Sequence, residues 1–301
     1  MAPDNSASLT ETPVSVISQA AARSADTPFG PVEFADHGHG PAVLSLHGAM
    51  GGWDQGLVLA RVVGADQGRI IAPSRPGYMG TALTSGRTPQ EQADLYAALL
   101  DRLEVDRAVL VAVSGGGPSA IHAALRHPDR CRALILVSTC AGKVGRSLPP
   151  VAYLMPLIAR WPAAVTLMRR RALANPLRSL ARSFPDPAQR QTLMEEPVAW
   201  PLYQSLREGM FTSMAARIPG TMNDIRVTAT HEYPLERVTV PTLVIHGTGD
   251  RVLPFDRHGA VLARRISGAE LLCLNDGQHA AIFTHRKSIV PAVRRFIGAM
   301  Q

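Results

Sequence analysis

Six short β-rich runs, apolar almost from end to end, constrain this chain most: AVLSL at Ala42–Leu46, RIIAP at Arg69–Pro73, AVLVAV at Ala108–Val113, ALILVS at Ala133–Ser138, TLVIH at Thr242–His246 and ELLCL at Glu270–Leu274. A strand with one wet face alternates apolar and polar residues. A run that does not alternate reads as a strand covered on both faces. Segments of helical period separate the runs, so the pattern predicts an α/β fold with a mostly parallel, doubly wound sheet. TPQEQADLYAALLDRL is the clearest of these segments. Thr88 serves as N-cap, Pro89 takes the first helical position and Glu91 completes a capping box. Leu95, Leu99, Leu100 and Leu103 then form one apolar face. Further helices are expected at Pro118–Arg126, Asp256–Ile266 and Ser288–Ala299. GPVEFADHG alternates more and is expected to give an early antiparallel strand.

The rhythm breaks between Gly142 and Glu236, where proline-punctuated helical segments replace the buried runs. The expected organisation is therefore a partly ordered N-terminal arm over 1–29, a core over 30–141 and 237–301, and an inserted helical lid over 142–236. Val151 to Met168 is the most apolar long stretch, but Arg160, Pro156 and Pro162 interrupt it, which argues against a membrane-spanning helix. It is expected to line a pocket rather than to dock on lipid.

The formal net charge is +7, yet only Lys143 and Lys287 are lysines among the 31 basic residues. That pattern points to a preference for arginine. Arg169-Arg170-Arg171 is the one tight run, without the aromatic interleaving of a nucleic-acid site, so no nucleic-acid partner is expected. Cys131, Cys140 and Cys273 are odd in number and far apart. They fit a reducing compartment and neither a disulfide framework nor a zinc site. The N-terminus lacks a basic start and a long apolar core, which makes the cytoplasm the expected location.

The run AVLVAV ends on Ser114, which is followed by Gly115, Gly116 and Gly117 and then by a helix. A strand that turns abruptly into a helix brings the residues two before and two after the apex into near contact. Ala112 and Gly116 occupy those places, and both are small. The serine at such an apex is strained and projects its hydroxyl away from the sheet. A hydroxyl is a weak nucleophile near neutral pH and needs a base within hydrogen-bond reach, held in turn by a third group.

With these residues the sequence resembles the α/β-hydrolase superfamily, whose nucleophile elbow matches Ala112–Gly116, with alanine where glycine is commoner. The resemblance runs from about Gly30 to the C-terminus. It implies His279, in LNDGQHAA after the last run, as the base, and leaves His122, His127 and His246 as packed or surface histidines. The acid is assigned to Asp250, in VIHGTGDRVLP, with Asp276 as its rival. In some relatives the acid follows the strand before the lid, but Ser138 and Thr139 stand there. LSLHGAMGGWDQG resembles the family's His-Gly loop. It implies an oxyanion hole made from the N–H of Ala49, or alternatively Met50, together with that of Gly115. RIIAPSRPGYMGT matches the next loop, with Ser74 where many members carry aspartate.

Serine at the elbow argues against the relatives that use aspartate or cysteine there. The implied activity is hydrolysis of a small, mostly apolar carboxylic ester, lactone or thioester through an acyl-enzyme on Ser114, with no metal or organic cofactor. Carbon–carbon bond hydrolysis and cofactor-free perhydrolase or haloperoxidase activity would use the same residues. A ligand-binding receptor of the same fold is the reading from another class. Met50 and Trp53, beside the oxyanion loop, are candidates for the border of the acyl pocket.

Overall fold

A computed structural model describes residues 20–144, 154–174 and 176–300. Eight strands form one sheet: β1 Arg23–Thr27, β2 Gly30–His37, β3 Ala42–Leu46, β4 Arg69–Pro73, β5 Ala108–Val113, β6 Cys131–Val137, β7 Thr242–Gly247 and β8 Glu270–Leu274, in the order β1-β2-β4-β3-β5-β6-β7-β8. The pairs β1/β2 and β2/β4 are antiparallel, and every other pair is parallel. In the middle of the sheet β3 and β5 pair residue for residue, from Ala42 with Ala108 to Leu46 with Ala112.

The unbroken apolar runs follow from this packing. On one face Leu44, Leu46, Leu110, Ala112, Leu134 and Leu136 pack with Leu95, Leu99 and Ile121. The intervening residues Val43, Val109, Val111, Ile135 and Val137 pack on the other face with Val58, Val62, Ile289 and Phe296. Both sides are covered by helices, so alternate residues enter different apolar layers. Each fully buried side chain of this kind contributes about 1.5–3 kcal/mol. On the first face lie α2 (Pro89–Arg102), with the capping box in place, and α3 (Gly117–Arg126). The second carries α1 (Trp53–Val62) and the C-terminal helix Arg286–Gly298.

Several elements depart from expectation. Strand β1 falls inside the stretch expected as an arm; its sequence RSADT is polar and mostly exposed, and its partner β2 defines it. At the other edge β8 leaves Glu270, Leu271 and Cys273 exposed, so that run is only partly covered. The expected helix at Asp256–Ile266 divides into a 3-10 turn at Phe255–Arg257 and α10 at Gly259–Arg265.

Between β6 and β7 the described residues form helices and no strand: α4 Met155–Ile158, α5 Pro162–Ala174, α6 Pro176–Ser183, α7 Pro187–Glu195, α8 Ala199–Phe211 and α9 Met214–Thr230. Residues 145–153, which include the start of the apolar stretch at 151–153, lie outside the described residues. The remainder is two-sided. Met155, Ala159 and Val165 pack inward with Met50, Met214 and Ile218. Leu154, Leu157, Trp161 and Leu167 point outward, at 53%, 57%, 66% and 48% exposure. Only one face of this segment is therefore available to line a pocket. No helix of the described residues is long and apolar enough to cross a membrane.

Helix α9 is joined to the core through main-chain groups. Pro219 has no N–H, and the next amide, Gly220, donates to Gly77 O at 2.8 Å. The Ala216 carbonyl accepts from Met79 N at 2.8 Å. Gly77, at φ 85°, meets Gly220 so closely that a Cβ on Gly77 would lie 2.7 Å from the Gly220 Cα. Loop and helix thus exchange hydrogen bonds across a contact that admits no side chain.

Candidate active site

Strand β5 delivers Ser114 at φ 51°, in the left-handed region that a non-glycine residue adopts at a cost of about 1–3 kcal/mol. The small residues around it are sterically required. A Cβ on Gly116 would lie 2.6 Å from Leu46 O, and one on Gly117 would overlap the Thr139 hydroxyl. That hydroxyl donates to Ser114 O at 2.6 Å and ties the turn to the end of β6.

Three distant loops meet at the half-buried serine. Ser114 Oγ lies 2.9 Å from His279 Nε2, and His279 Nδ1 lies 2.8 Å from Asp250 Oδ2. The other carboxylate oxygen of Asp250 accepts from Val252 N at 2.8 Å and Leu253 N at 2.9 Å. Burial works against the Asp250 charge, but hydrogen bonds from His246, His279 and the Leu253 amide outweigh it and hold the carboxyl well below the usual range. An ionised Asp250 accepting from Nδ1–H leaves Nε2 as the acceptor toward Ser114. The rival Asp276 is exposed and contributes main-chain bonds: its N–H donates to Thr248 Oγ1 and its carbonyl accepts from Gln189.

The other histidines separate as follows. His127 pairs with Asp94, and His122 is buried beside His231 and Tyr233. His246 lies closer to the site than the sequence suggested: its Nε2 is 2.8 Å from Leu253 O and 3.5 Å from Asp250 Oδ2. It backs the acid from inside the sheet.

The His-Gly loop runs beside the elbow. A Cβ on Gly48 would lie 3.3 Å from the Ser114 Cβ, and one on Gly115 would lie 3.4 Å from Ala49 N. Met50 N donates to Thr221 Oγ1 of α9 at 2.9 Å. Its amide is therefore engaged, and Ala49 carries the loop amide next to Gly115. Burial and the nearby Arg75 charge hold His47 far below its ordinary pKa. The neutral ring accepts from Arg75 N at 3.0 Å through Nε2 and donates to Gly48 O at 2.7 Å through Nδ1.

At Ser74 the structure accounts for the missing aspartate. The Ser74 hydroxyl accepts from Trp53 N at 3.1 Å and donates to Glu33 Oε2 at 2.7 Å. A carboxylate is present after all, supplied by Glu33 of β2 through the Ser74 hydroxyl. Arg75, the next residue, forms a buried ion pair with Asp224 of α9 through bonds of 2.9 and 2.5 Å, and Tyr78 donates to the same carboxylate at 2.6 Å. A second buried pair joins Arg217 of α9 to Asp54 of α1 at 3.1 and 2.7 Å. Sequence reading found neither pair, because the partners are 149 and 163 residues apart.

Of the two residues expected at the pocket border, Met50 joins the apolar cluster of Ala159, Met214 and Ile218. Trp53 instead packs on the sheet, against Leu57, Ile70 and Ala72. Among the described residues no group of three or more His, Cys, Asp or Glu is placed to hold a metal ion.

Comparison with known proteins agrees with this fold. The family model for the alpha/beta hydrolase fold matches residues 41–286. A 2-hydroxymuconate semialdehyde hydrolase of Pseudomonas putida is 30% identical over 268 residues, covering 87% of this chain and 89% of that protein. An alpha/beta hydrolase fold protein from Nakamurella multipartita superposes with a TM-score of 0.81 at 32% identity, covering 93% of this chain and 98% of that one. The bromoperoxidase from Bacillus anthracis, at 20% identity and a TM-score of 0.67 over 92% of this chain and all of its own, shares the fold. Taken with the elbow at Ser114 and the sheet that carries it, the match over residues 41–286 makes this chain a member of the α/β-hydrolase fold family.

Proposed function

We propose that the protein is a serine hydrolase that cleaves a small, mostly apolar carboxylic ester, lactone or thioester. The observation that carries this reading is the relay from Ser114 Oγ through His279 to Asp250, with links of 2.9 and 2.8 Å. Ser114 attacks the carbonyl while His279 Nε2 takes its proton, and Asp250 supports the resulting imidazolium. The N–H groups of Ala49 and Gly115 receive the developing oxyanion. His279 then returns the proton to the leaving group and activates water against the acyl-enzyme.

The substrate class is supported by the apolar cluster around Met50, Met155 and Met222 next to the oxyanion loop. Residues 142–236 act in this reading as a cap over a core formed by residues 30–141 and 237–301. The three cysteines are unpaired, which supports a cytoplasmic protein.

Fluorophosphonate labelling followed by turnover of aryl esters of graded acyl length tests the proposal. Replacement of Ser114 by alanine is expected to abolish labelling and to lower turnover by at least about 10³-fold with the fold intact. Normal turnover in that variant refutes the assignment, and labelling of the wild type without turnover favours a receptor. Carbon–carbon bond hydrolysis is the second reading, supported by the likeness to the 2-hydroxymuconate semialdehyde hydrolase. Cleavage of a 2-hydroxy-6-oxo-dienoate faster than any aryl ester would select it.

A further inference from the structure

We propose that Arg75, countered by Asp224 of the helical insertion, is the positioning residue of the oxyanion loop, so that acyl transfer at Ser114 requires helix α9 to be seated on the core. This inference rests on the acyl-transfer reading above and adds residues that lie outside the Ser114–His279–Asp250 relay.

Arg75 is only 1% exposed, and three of its donors meet His47 and Gly48. Its backbone N–H holds the His47 ring at 3.0 Å, its Nε donates to His47 O at 2.8 Å, and its Nη2 reaches Gly48 O at 3.4 Å. The His47 ring, oriented by that first bond, also donates to Gly48 O. Gly48 C=O and Ala49 N–H belong to one planar trans peptide, so the groups that hold the carbonyl also set the direction of the N–H. The amide assigned to the oxyanion is therefore aimed from behind by Arg75 and by the ring it holds.

A buried guanidinium cannot do this without a counter-charge. Asp224 supplies one, with a bidentate geometry that fixes the guanidinium plane. Tyr78 completes the assembly. Its hydroxyl donates to Asp224 and its ring meets His47 edge-on, with centroids 4.7 Å apart. The pair also borders the second oxyanion amide, since a Cβ on Gly115 would lie 2.8 Å from Asp224 Oδ2 and 3.4 Å from Arg75 Nη2. Alone, a carboxylate so close would oppose the negative charge that develops during attack. Its presence fits a device in which geometry outweighs local charge. Thr221, one turn before Asp224 on α9, meanwhile accepts from Met50 N, so one helix face holds the loop at two points.

Two explanations predict opposite signs for Asp224→Asn. If local charge is what matters, loss of the carboxylate frees a cation beside the oxyanion and speeds the reaction. If position matters, the guanidinium loses its bidentate partner, the loop loosens and the reaction slows. The test compares the full-length wild type with Arg75→Lys, Arg75→Gln and Asp224→Asn at a temperature where thermal melts show each variant folded. Asp224→Asn keeps the side-chain volume and one acceptor, and so carries the test if the Arg75 variants do not fold. The readouts are kcat and KM on an aryl ester, and the affinity of an arylboronic acid, whose tetrahedral adduct places an anionic oxygen at the oxyanion position.

The expected result is a fall in kcat of about 10- to 100-fold, an equal loss of boronate affinity, and KM within about twofold of wild type. Unchanged kcat and boronate affinity in folded variants overturns the proposal, and so does a faster Asp224→Asn variant or a change confined to KM. Fluorophosphonate labelling separates this failure from that of the parent reading. A wild type that does not label at Ser114 defeats the acyl-transfer assignment, whereas a wild type that labels alongside variants labelling equally fast defeats the role of Arg75.

Discussion

Replacing Asp250 by asparagine is the most informative single change, because the surroundings dictate how the new side chain must sit. Val252 N and Leu253 N both donate to Asp250 Oδ1, at 2.8 and 2.9 Å. An asparagine keeps those bonds only by turning its oxygen toward the two amides, which directs its NH2 at His279 Nδ1. His279 must then accept at Nδ1 and carry its proton on Nε2, facing Ser114, where it cannot act as a base. The opposite orientation restores the ring but leaves two amide donors facing an NH2 group, at about 1–3 kcal/mol each. Loss of the carboxylate charge that supports the imidazolium adds to this. Together these amount to about 4–6 kcal/mol, or a fall in kcat of about 10³- to 10⁴-fold at neutral pH. The variant is expected to melt close to wild type, since the Oδ1 bonds survive. Stopped-flow labelling with a fluorophosphonate and steady-state turnover of an aryl ester both measure the effect, with Asp276→Asn as the exposed control. A kcat within about tenfold of wild type would refute the reasoning and show that another group orients His279.

Three further expectations follow from the packing. Gly220→Ala places a Cβ 2.2 Å from two carbons of the Tyr78 ring and separates the exchanged hydrogen bonds. It is expected to lower stability by about 2–4 kcal/mol in denaturant unfolding, and a loss under about 1 kcal/mol contradicts the described contact. Burial holds His122 and His258 down at about 4 and His47 well below its ordinary value, so the folded chain leaves rings neutral that the unfolded chain protonates. Stability is therefore expected to fall as pH drops from about 6.5 to about 4, by up to about 1.4 kcal/mol per pH unit for each ring, and a flat urea midpoint over that window would refute it. Iodoacetamide is expected to modify exposed Cys273 alone in the native protein, because burial raises the thiols of Cys131 and Cys140 to about 12 and about 11. Labelling of all three at equal rates, measured by mass spectrometry, would contradict the core packing.

Most of the sheet was legible because burial on both faces leaves a local signature. Ala42–Leu46, Arg69–Pro73 and Ala108–Val113 form strands with the bounds read from the sequence. Strand β1 escaped because RSADT has no apolar pattern of its own and owes its conformation to β2. The convergence of Ser114, Asp250 and His279 is legible because each follows a recognisable run with a turn signal. Asp224 could not, since a lone acid on a helix carries no mark of the arginine it will meet 149 residues away. Ser74 shows the intermediate case. The departure from the usual aspartate was visible, but the compensating Glu33 is brought alongside only by the antiparallel pairing of β2 with β4. Trp53 lay near the oxyanion loop in sequence, yet helix α1 turns it onto the sheet.

The joint between Gly77 and Gly220 has a consequence for how such a chain diverges. At this joint peptide groups and bare Cα atoms make the fit, while the Arg75–Asp224 and Arg217–Asp54 pairs fasten the same helix through side chains. Met214, Ile218 and Met222 lie on the same helix in the apolar cluster, outside this backbone joint. In the proposed reading, exchange at those apolar positions would alter selectivity while the backbone joint stays in place.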